Sequence, residues 1–507
     1  MNFKQVISGF GVFVLAAATG AGIYLAPTPK PSQEANTPVR ATGGLLGLTC
    51  SGGAARLVSG NTNVTDLNEE LTGLAALLVT GASTFETGEI LWQTPAANGT
   101  IKAEKLASVL LPSDKFFKSS LAGVSLQATA RVEGIDDLEA GILGASYHQA
   151  NAGDLRGVAI NNCDWVGTSA WLIAADTAVG SANQLRLANP ADNPVTVMIK
   201  AYTSSGEHLL GVSENINLAA GEIKELALDG LLPANQTISL HLSSTTGKFG
   251  ATVFSNKLEG FTPRGVTFVK PADSGLTTYI PGVVLDPAPQ DDSVITLDPE
   301  TLPDSWLTDS RLTASLRIVN PHPDLRIARV DLIGRDGKIT PLSGAENTAI
   351  PANSVLDLSL DGVSAGSYTV KVTADAPVAT GVQLSFDAGA AGRDFTWISA
   401  REPLLAGGAA YNAGVGQLVV GSEQATTMIW TAYNAKGEVI ETAELAVNGT
   451  AAKNLPEGTT FVQVQSETPV SAGVRVSVEQ TDGKLIEWVP VIENITQSGS
   501  YQLDIKN

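Results

Sequence analysis

A chain of 507 residues exceeds one ordinary domain and has room for about three to five of them. Hydrophobic residues at 43% can supply cores, whereas 16% charged residues with 51 glycines and 25 prolines disfavour long helices and favour strands and turns. The formal charge of −20 repels phosphate backbones, which excludes nucleic acid as a partner and disfavours anionic lipid surfaces.

At the N-terminus, Lys4 precedes an uncharged apolar run from Val6 to Ala26. At 1.5 Å per residue this run reaches about 30 Å, the thickness of a hydrocarbon core. A cleaved signal has a shorter apolar region ending in a small-x-small site. Here the small residues of Ala16–Ala18 are followed by more apolar sequence, to Tyr24 and Leu25. Residues 1–26 are therefore expected to be an uncleaved signal-anchor, a transmembrane helix of a single-pass cell-membrane protein whose C-terminal region is extracytoplasmic. Secretion after cleavage is the alternative. Residues 27–44, PTPKPSQEANTPVRATGG, read as a Pro/Ser/Thr tether.

Cys50 and Cys163 are the two cysteines. In an exported chain they read as one structural disulfide, worth about 4–5 kcal/mol in the chain-entropy account. Two buried free thiols are the alternative, and His148 is the one histidine between them that could join a zinc site.

The rest of the chain repeats itself. LRLANP at 185–190 is matched by LRIVNP at 316–321 and more weakly by LVVGS at 418–422. Alternating apolar residues mark a half-buried strand, and Asn-Pro ends it because proline cannot donate to a ladder. A second strand follows each time: VTVMIKAY (195–202), ARVDLIG (328–334) and TMIWTAY (427–433). Each runs into a Gly-containing hairpin turn. Each unit closes on an aromatic strand: TPRGVTFV (262–269), GRDFTWIS (392–399) and DGKLIEWVP (482–490). GILGASYHQANAGDLRGVAI (141–160) reads as the end of a degenerate first copy. The expected fold is all-β: tandem immunoglobulin-like β-sandwich domains after an N-terminal transmembrane helix. The expected boundaries are a degenerate disulfide-containing domain at 45–174 and sandwich repeats at 175–283, 284–407 and 408–507. A propeller would need shorter, more uniform blades. Leu67–Leu78 and Ala103–Leu111 are the best helix candidates.

NNCDWVGTSAWLIA (161–174), LRLANP, LEGFTPRGVTF (258–268) and YIPGV (279–283), with the second LRIVNP segment and DAPVATGV (375–382), carry a resemblance. The chain resembles a family of exported actinobacterial proteins of uncharacterised function, departing from it in having Gly167-Thr168-Ser169 where a Gly-Gly pair is usual. The family has no established activity. Its members are often encoded near large membrane glycosyltransferases, which implies a role in envelope glycan assembly.

Chemical motifs are few. Gly362-Val363-Ser364-Ala365-Gly366 matches a nucleophile elbow, but a strand follows it and no histidine lies downstream, so it reads as a turn. His148, His208, His241 and His322 form no ligand pair, and surface or turn positions are expected for them. The acids at Asp291-Asp292 and 298–309 lack the alternating ligands of a calcium loop. No metal or cofactor is expected, and no catalytic residue. Of the seven tryptophans, Trp397, Trp430 and Trp488 sit in strands and read as core, while Trp165 and Trp171 flank Cys163 and read as packed on the disulfide. Trp165, Trp171 and Trp306 are the candidate contacts for a glycan or partner. The functional expectation is a non-enzymatic structural or interaction protein of the cell envelope with an envelope or membrane protein partner. A carbohydrate-binding sandwich array on cell-wall glycan is the alternative.

Overall fold

The computed structural model describes residues 143–493 except 233–236, 286–310, 361, 388–392, 412–413 and 481–482, together with the backbones of the strands named below that lie outside that range. The anchor and tether at 1–44, Trp306 and the acids at 291–309 lie outside the described residues. Among the described residues the chain is all-β, with two short 3-10 turns and no helix long and apolar enough to cross a membrane.

The N-terminal segment contains β1 (Leu46–Cys50), β2 (Leu67–Asn68), β3 (Ala76–Thr80), β4 (Glu89–Pro95), β5 (Ile101–Ser108), β6 (Ala128–Glu133), β7 (Glu139–Leu143), β8 (Ala145–Ala150), β9 (Gly157–Asn162) and β10 (Asp164–Trp165). Five of these form one sheet in the order β10-β1-β6-β4-β5. Both helix candidates are corrected. β2 and the start of β3 fall in the first, and the second begins inside β5, which pairs with β4 from Pro95↔Ile101 to Glu89↔Ser108. The hairpin ladder overrides the helical propensity of the Lys-Ala-Glu-Lys-Leu-Ala run.

The second unit comprises β11 (Ser169–Asp176), β12 (Ser181–Ala188), β13 (Val195–Thr203), β14 (Gly206–His208), β15 (Asn215–Leu218), β16 (Ile223–Ala227), β17 (Thr237–Ser243), β18 (Gly250–Glu259) and β19 (Thr262–Val269). One sheet runs β11-β17-β13 with β14 and β15 along its edge, and the other runs β16-β12-β18-β19. Leu172, Val197 and Leu240 from the first sheet meet Leu185, Leu187 and Val253 from the second in one apolar core.

The third unit has β20 (Ser274–Leu285), β21 (Arg311–Asn320), β22 (Arg326–Ile333), β23 (Ile339–Pro341), β24 (Thr348–Ile350), β25 (Ser354–Ser359), β26 (Gly366–Asp387) and β27 (Arg393–Ser399). Its pairing repeats that of the second unit, with the 22-residue β26 serving both sheets: its first part pairs with β20 and β22, its second with β21 and β27. The fourth unit goes further. β28 (Leu404–Ala410) and β32 (Gly483–Pro490) flank β29 (Val415–Asn434), β30 (Val439–Asn454) and β31 (Thr459–Gln480), each long enough to serve both sheets. The short β33 (Ile492–Glu493) then pairs with β28, and β34 (Ile495–Thr496) pairs with β7 of the N-terminal segment.

Two expectations change. An immunoglobulin sandwich keeps its first two strands in one sheet, but here the first strand (β11, β20) and the second (β12, β21) lie in opposite sheets. YIPGV, read as the end of the second unit, lies in β20 and pairs with β26 of the third.

The repeated Asn-Pro has a physical reason. Asn320, fully buried, donates through Nδ2 to Asp324 O (2.9 Å), Ile350 O (3.1 Å) and Pro351 O (2.9 Å), and its Oδ1 accepts from His322 N (2.9 Å). Asn189 makes the matching set, to Asn193 O, Leu218 O and Ala219 O, and accepts from Ala191 N. Each amide thus stitches the turn after one strand to the neighbouring turn that leads from one sheet to the other, β24 to β25 and β15 to β16. Removing it strands buried carbonyls, so Asn320→Ala is expected to cost about 2–4 kcal/mol in urea unfolding. A loss below about 0.5 kcal/mol would show that water replaces the amide without penalty.

The closing strands of the four units are neighbours in a ring: β9 packs on β19 and β32, and β27 packs on the same two. Close approach explains two glycines of the shared Arg-Gly-Val sequence. A Cβ on Gly157 (φ +151°) would fall 2.7 Å from Val266 Cγ2, and one on Gly265 (φ +113°) would overlap Asp394. The units are therefore not beads on a line.

Candidate functional site

At the centre of this ring lies a polar hub. Glu487 of β32 is buried, and its carboxylate accepts from all three other closing strands: Ile160 N of β9 (3.3 Å), Thr267 Oγ1 of β19 (3.1 Å) and Thr396 Oγ1 of β27 (2.5 Å). Lys270, just beyond β19 and 2% exposed, completes the hub by donating to Glu487 Oε1 (2.9 Å) and Trp488 O (2.7 Å). Burial pulls the Lys270 pKa down, against the opposing pull of the Glu487 carboxylate. Asp394, also buried, accepts from Phe395 N (3.0 Å) and Ile486 N (2.9 Å), and burial with the nearby Glu487 charge holds its carboxyl well above the usual range.

The four closing strands deliver their carboxy ends to one place. The residues that follow them, Asp164-Trp165, Pro271–Asp273, Arg401-Glu402 and Val491–Glu493, line a shared pocket of about 320 Å³. Arg401 forms an ion pair with Asp164. Burial works against the Arg401 charge, but Asp164 and Asp273 outweigh it and hold its pKa above the ordinary value. Arg401 Nε is buried without a hydrogen-bond partner, an unmet donor in the wall of a cavity. Asp273 accepts from Glu402 N (2.8 Å), which fixes the turn after β27 against the turn after β19. Trp165 is half-buried, with Nε1 donating to Glu493 O (3.1 Å). Four carboxylates, Asp164, Asp273, Glu402 and Glu493, thus surround one guanidinium and one indole.

Of the sequence candidates, Trp165 lies in this pocket. Trp171 does not: it is 6% exposed and stacked on His241 (ring centroids 4.3 Å apart) in the second unit's core, which removes it as a surface contact. Trp306 lies outside the described residues. Trp397, Trp430 and Trp488 are buried, as strand positions imply. His148, expected at a surface or turn, is instead wholly buried, edge-on to Phe254. Cys163 is buried, and no free cysteine stands among the described residues. The register Leu48↔Trp165, Thr49↔Asp164, carried one step on, sets Cys50 opposite Cys163 along the backbone. Among the described residues no group of three His, Cys, Asp or Glu side chains could hold a metal. Arg401, Asp273, Glu402 and Glu493 escaped the sequence reading. Their one signal is position, within four residues of the ends of β19, β27 and β32.

A family model covers residues 119–455, more than half of the chain. The chain belongs to the family of unknown function DUF5719. No curated protein matches it. Among solved structures it is similar to Thermotoga maritima 1070 (15% identity, 25% of this chain and 91% of that one, TM-score 0.19). It is also similar to the Streptomyces avermitilis alpha-L-rhamnosidase complexed with L-rhamnose (10% identity, 84% and 57% covered, TM-score 0.11). At these scores neither likeness carries an argument about this DUF5719 chain.

Proposed function

We propose that this DUF5719 protein is a structural and interaction protein of the cell envelope. In this reading it is anchored by residues 1–26, carries its C-terminal region outside the membrane, and presents the shared pocket to a membrane complex that assembles envelope glycan. The carrying observation is that one pocket draws its lining from the carboxy ends of all four closing strands. A surface that depends on every unit gives a reason for holding the four together.

Lack of catalytic activity belongs to the same proposal. Ser169 Oγ and His241 Nε2 stand 3.0 Å apart beside the pocket, the spacing of a nucleophile and its base. Burial and the Lys200 charge lower the His241 pKa, and its ring stacks on Trp171, so the surroundings disfavour the imidazolium that a catalytic base must form.

In-cell photo-crosslinking tests the reading, with the crosslinker placed at exposed Glu402 and, as control, at exposed Val439. Recovery of one integral membrane protein of glycan assembly from position 402 and not from 439 is expected. Equal recovery from both, or hydrolytic turnover by the purified protein, would overturn it.

A Cys50–Cys163 disulfide is the second part of the proposal, supported by the backbone register. Unfolded, unreduced protein should take up no alkylating reagent, and Cys163→Ser should lose up to about 4–5 kcal/mol of stability. Two alkylated thiols without reductant would refute the bond.

A further inference from the structure

We propose that the pocket at the carboxy ends of β9, β19, β27 and β32 is a binding site for an uncharged saccharide, one site shared by all four units rather than one on each sandwich. The inference rests on reading this pocket as the protein's contact surface, and names what that surface takes.

At about 320 Å³ the cavity is at the small end of ligand pockets, which run from about 300 to 1,000 Å³. Its chemistry alternates. Asp164, Asp273, Glu402 and Glu493 accept hydrogen bonds, while Arg401 donates. Vicinal hydroxyls both donate and accept, so a sugar ring can meet both kinds of group, whereas a ligand with acceptors alone would face four carboxylates. Trp165 supplies an indole whose N–H is already satisfied by Glu493 O, leaving a ring with no polar demand to lie against the C–H face of a pyranose or furanose. Arg401 is held by Asp164, and the turn carrying Glu402 by Asp273, so these groups stand preorganised before any ligand arrives. The excess of carboxylates over guanidinium repels uronic acids, phosphates and other anions, which excludes acidic saccharides.

A basic peptide is the competing occupant, and salt separates the two. Carboxylate–ammonium contacts at an open pocket are screened, whereas hydroxyl hydrogen bonds and indole stacking are not. The full-length protein is titrated calorimetrically with neutral galacto-, manno- and arabino-oligosaccharides, with oligogalacturonate and with tetralysine, at low and at high salt. Saturable binding of a neutral oligosaccharide, unchanged by salt, is expected. Trp165→Ala should weaken it at least about tenfold, Trp165→Phe should retain most of it, and Glu402→Gln, at an exposed position, should weaken it without altering the unfolding midpoint. No saturable heat from any neutral oligosaccharide, tighter binding of tetralysine that collapses in salt, preference for oligogalacturonate, or indifference to Trp165→Ala would each overturn the proposal. A membrane protein still recovered from position 402 in those cases would leave the interaction reading standing.

Discussion

Glu487→Ala is expected to be among the most damaging single substitutions in the protein, at about 3–5 kcal/mol. The carboxylate accepts from three other closing strands and holds the Lys270 ammonium, which is 2% exposed. Removing it leaves a cation without its counter-charge in a dry site, and breaking one side of a buried pair costs far more than the pair itself contributes. The paired replacement Lys270→Met with Glu487→Leu discards both charges together. It should recover most of the loss, though Thr267 and Thr396 lose an acceptor. The measurement is chemical unfolding of Glu487→Ala, of Lys270→Met and Glu487→Leu singly, and of their double. A Glu487→Ala loss below about 1 kcal/mol, or a double variant no better than the worse single, would show that the hub does not couple the strands.

The second large effect is a dependence on pH. His148 is wholly buried, and burial lowers its pKa from 6.5 to about 4. The folded value lies below the unfolded one, so folding favours the neutral ring. The stability this residue contributes is complete above pH 6.5 and is lost as pH falls towards 4. The 2.5-unit gap corresponds to about 3 kcal/mol. Asp394 works in the opposite sense. Burial holds its folded pKa well above 3.8, so its contribution is fully present below 3.8 and is lost as pH rises. The net slope of the protein mixes the two, and His148 must be isolated. By NMR its ring should titrate near pH 4. The stability difference between wild type and His148→Gln should shrink by about 3 kcal/mol from pH 7 to pH 4. An imidazole titrating near 6.5, or a pH-independent difference, would contradict its burial.

The strands were legible because their causes are local. Alternating apolar residues, Asn-Pro stops and Gly turns mark β12, β21 and the hairpins that follow, and the structure gives the stop a role through Asn189 and Asn320. Two helix candidates failed because strand pairing, of β5 with β4 and of β2 and β3 with β8 and β7, is a partner effect that propensity does not contain. The hub was invisible for a similar reason. Lys270 and Glu487 are 217 residues apart, and neither stands in a pattern that marks it as buried. Trp165 was legible as a residue type. The groups beside it were not, because Arg401, Asp273 and Glu493 meet through the ring closure and share no sequence motif. His148 was misplaced since a lone histidine carries no periodic signal.

Hydrogen exchange read by mass spectrometry on Glu487→Ala tests the closed arrangement most directly. If the four closing strands are one cooperative element, protection should fall together at 157–162, 262–269, 393–399 and 483–490. If protection falls only within the fourth unit, at 404–493, while the other three closing strands keep theirs, the units are independent and both the ring and the pocket built on it are wrong.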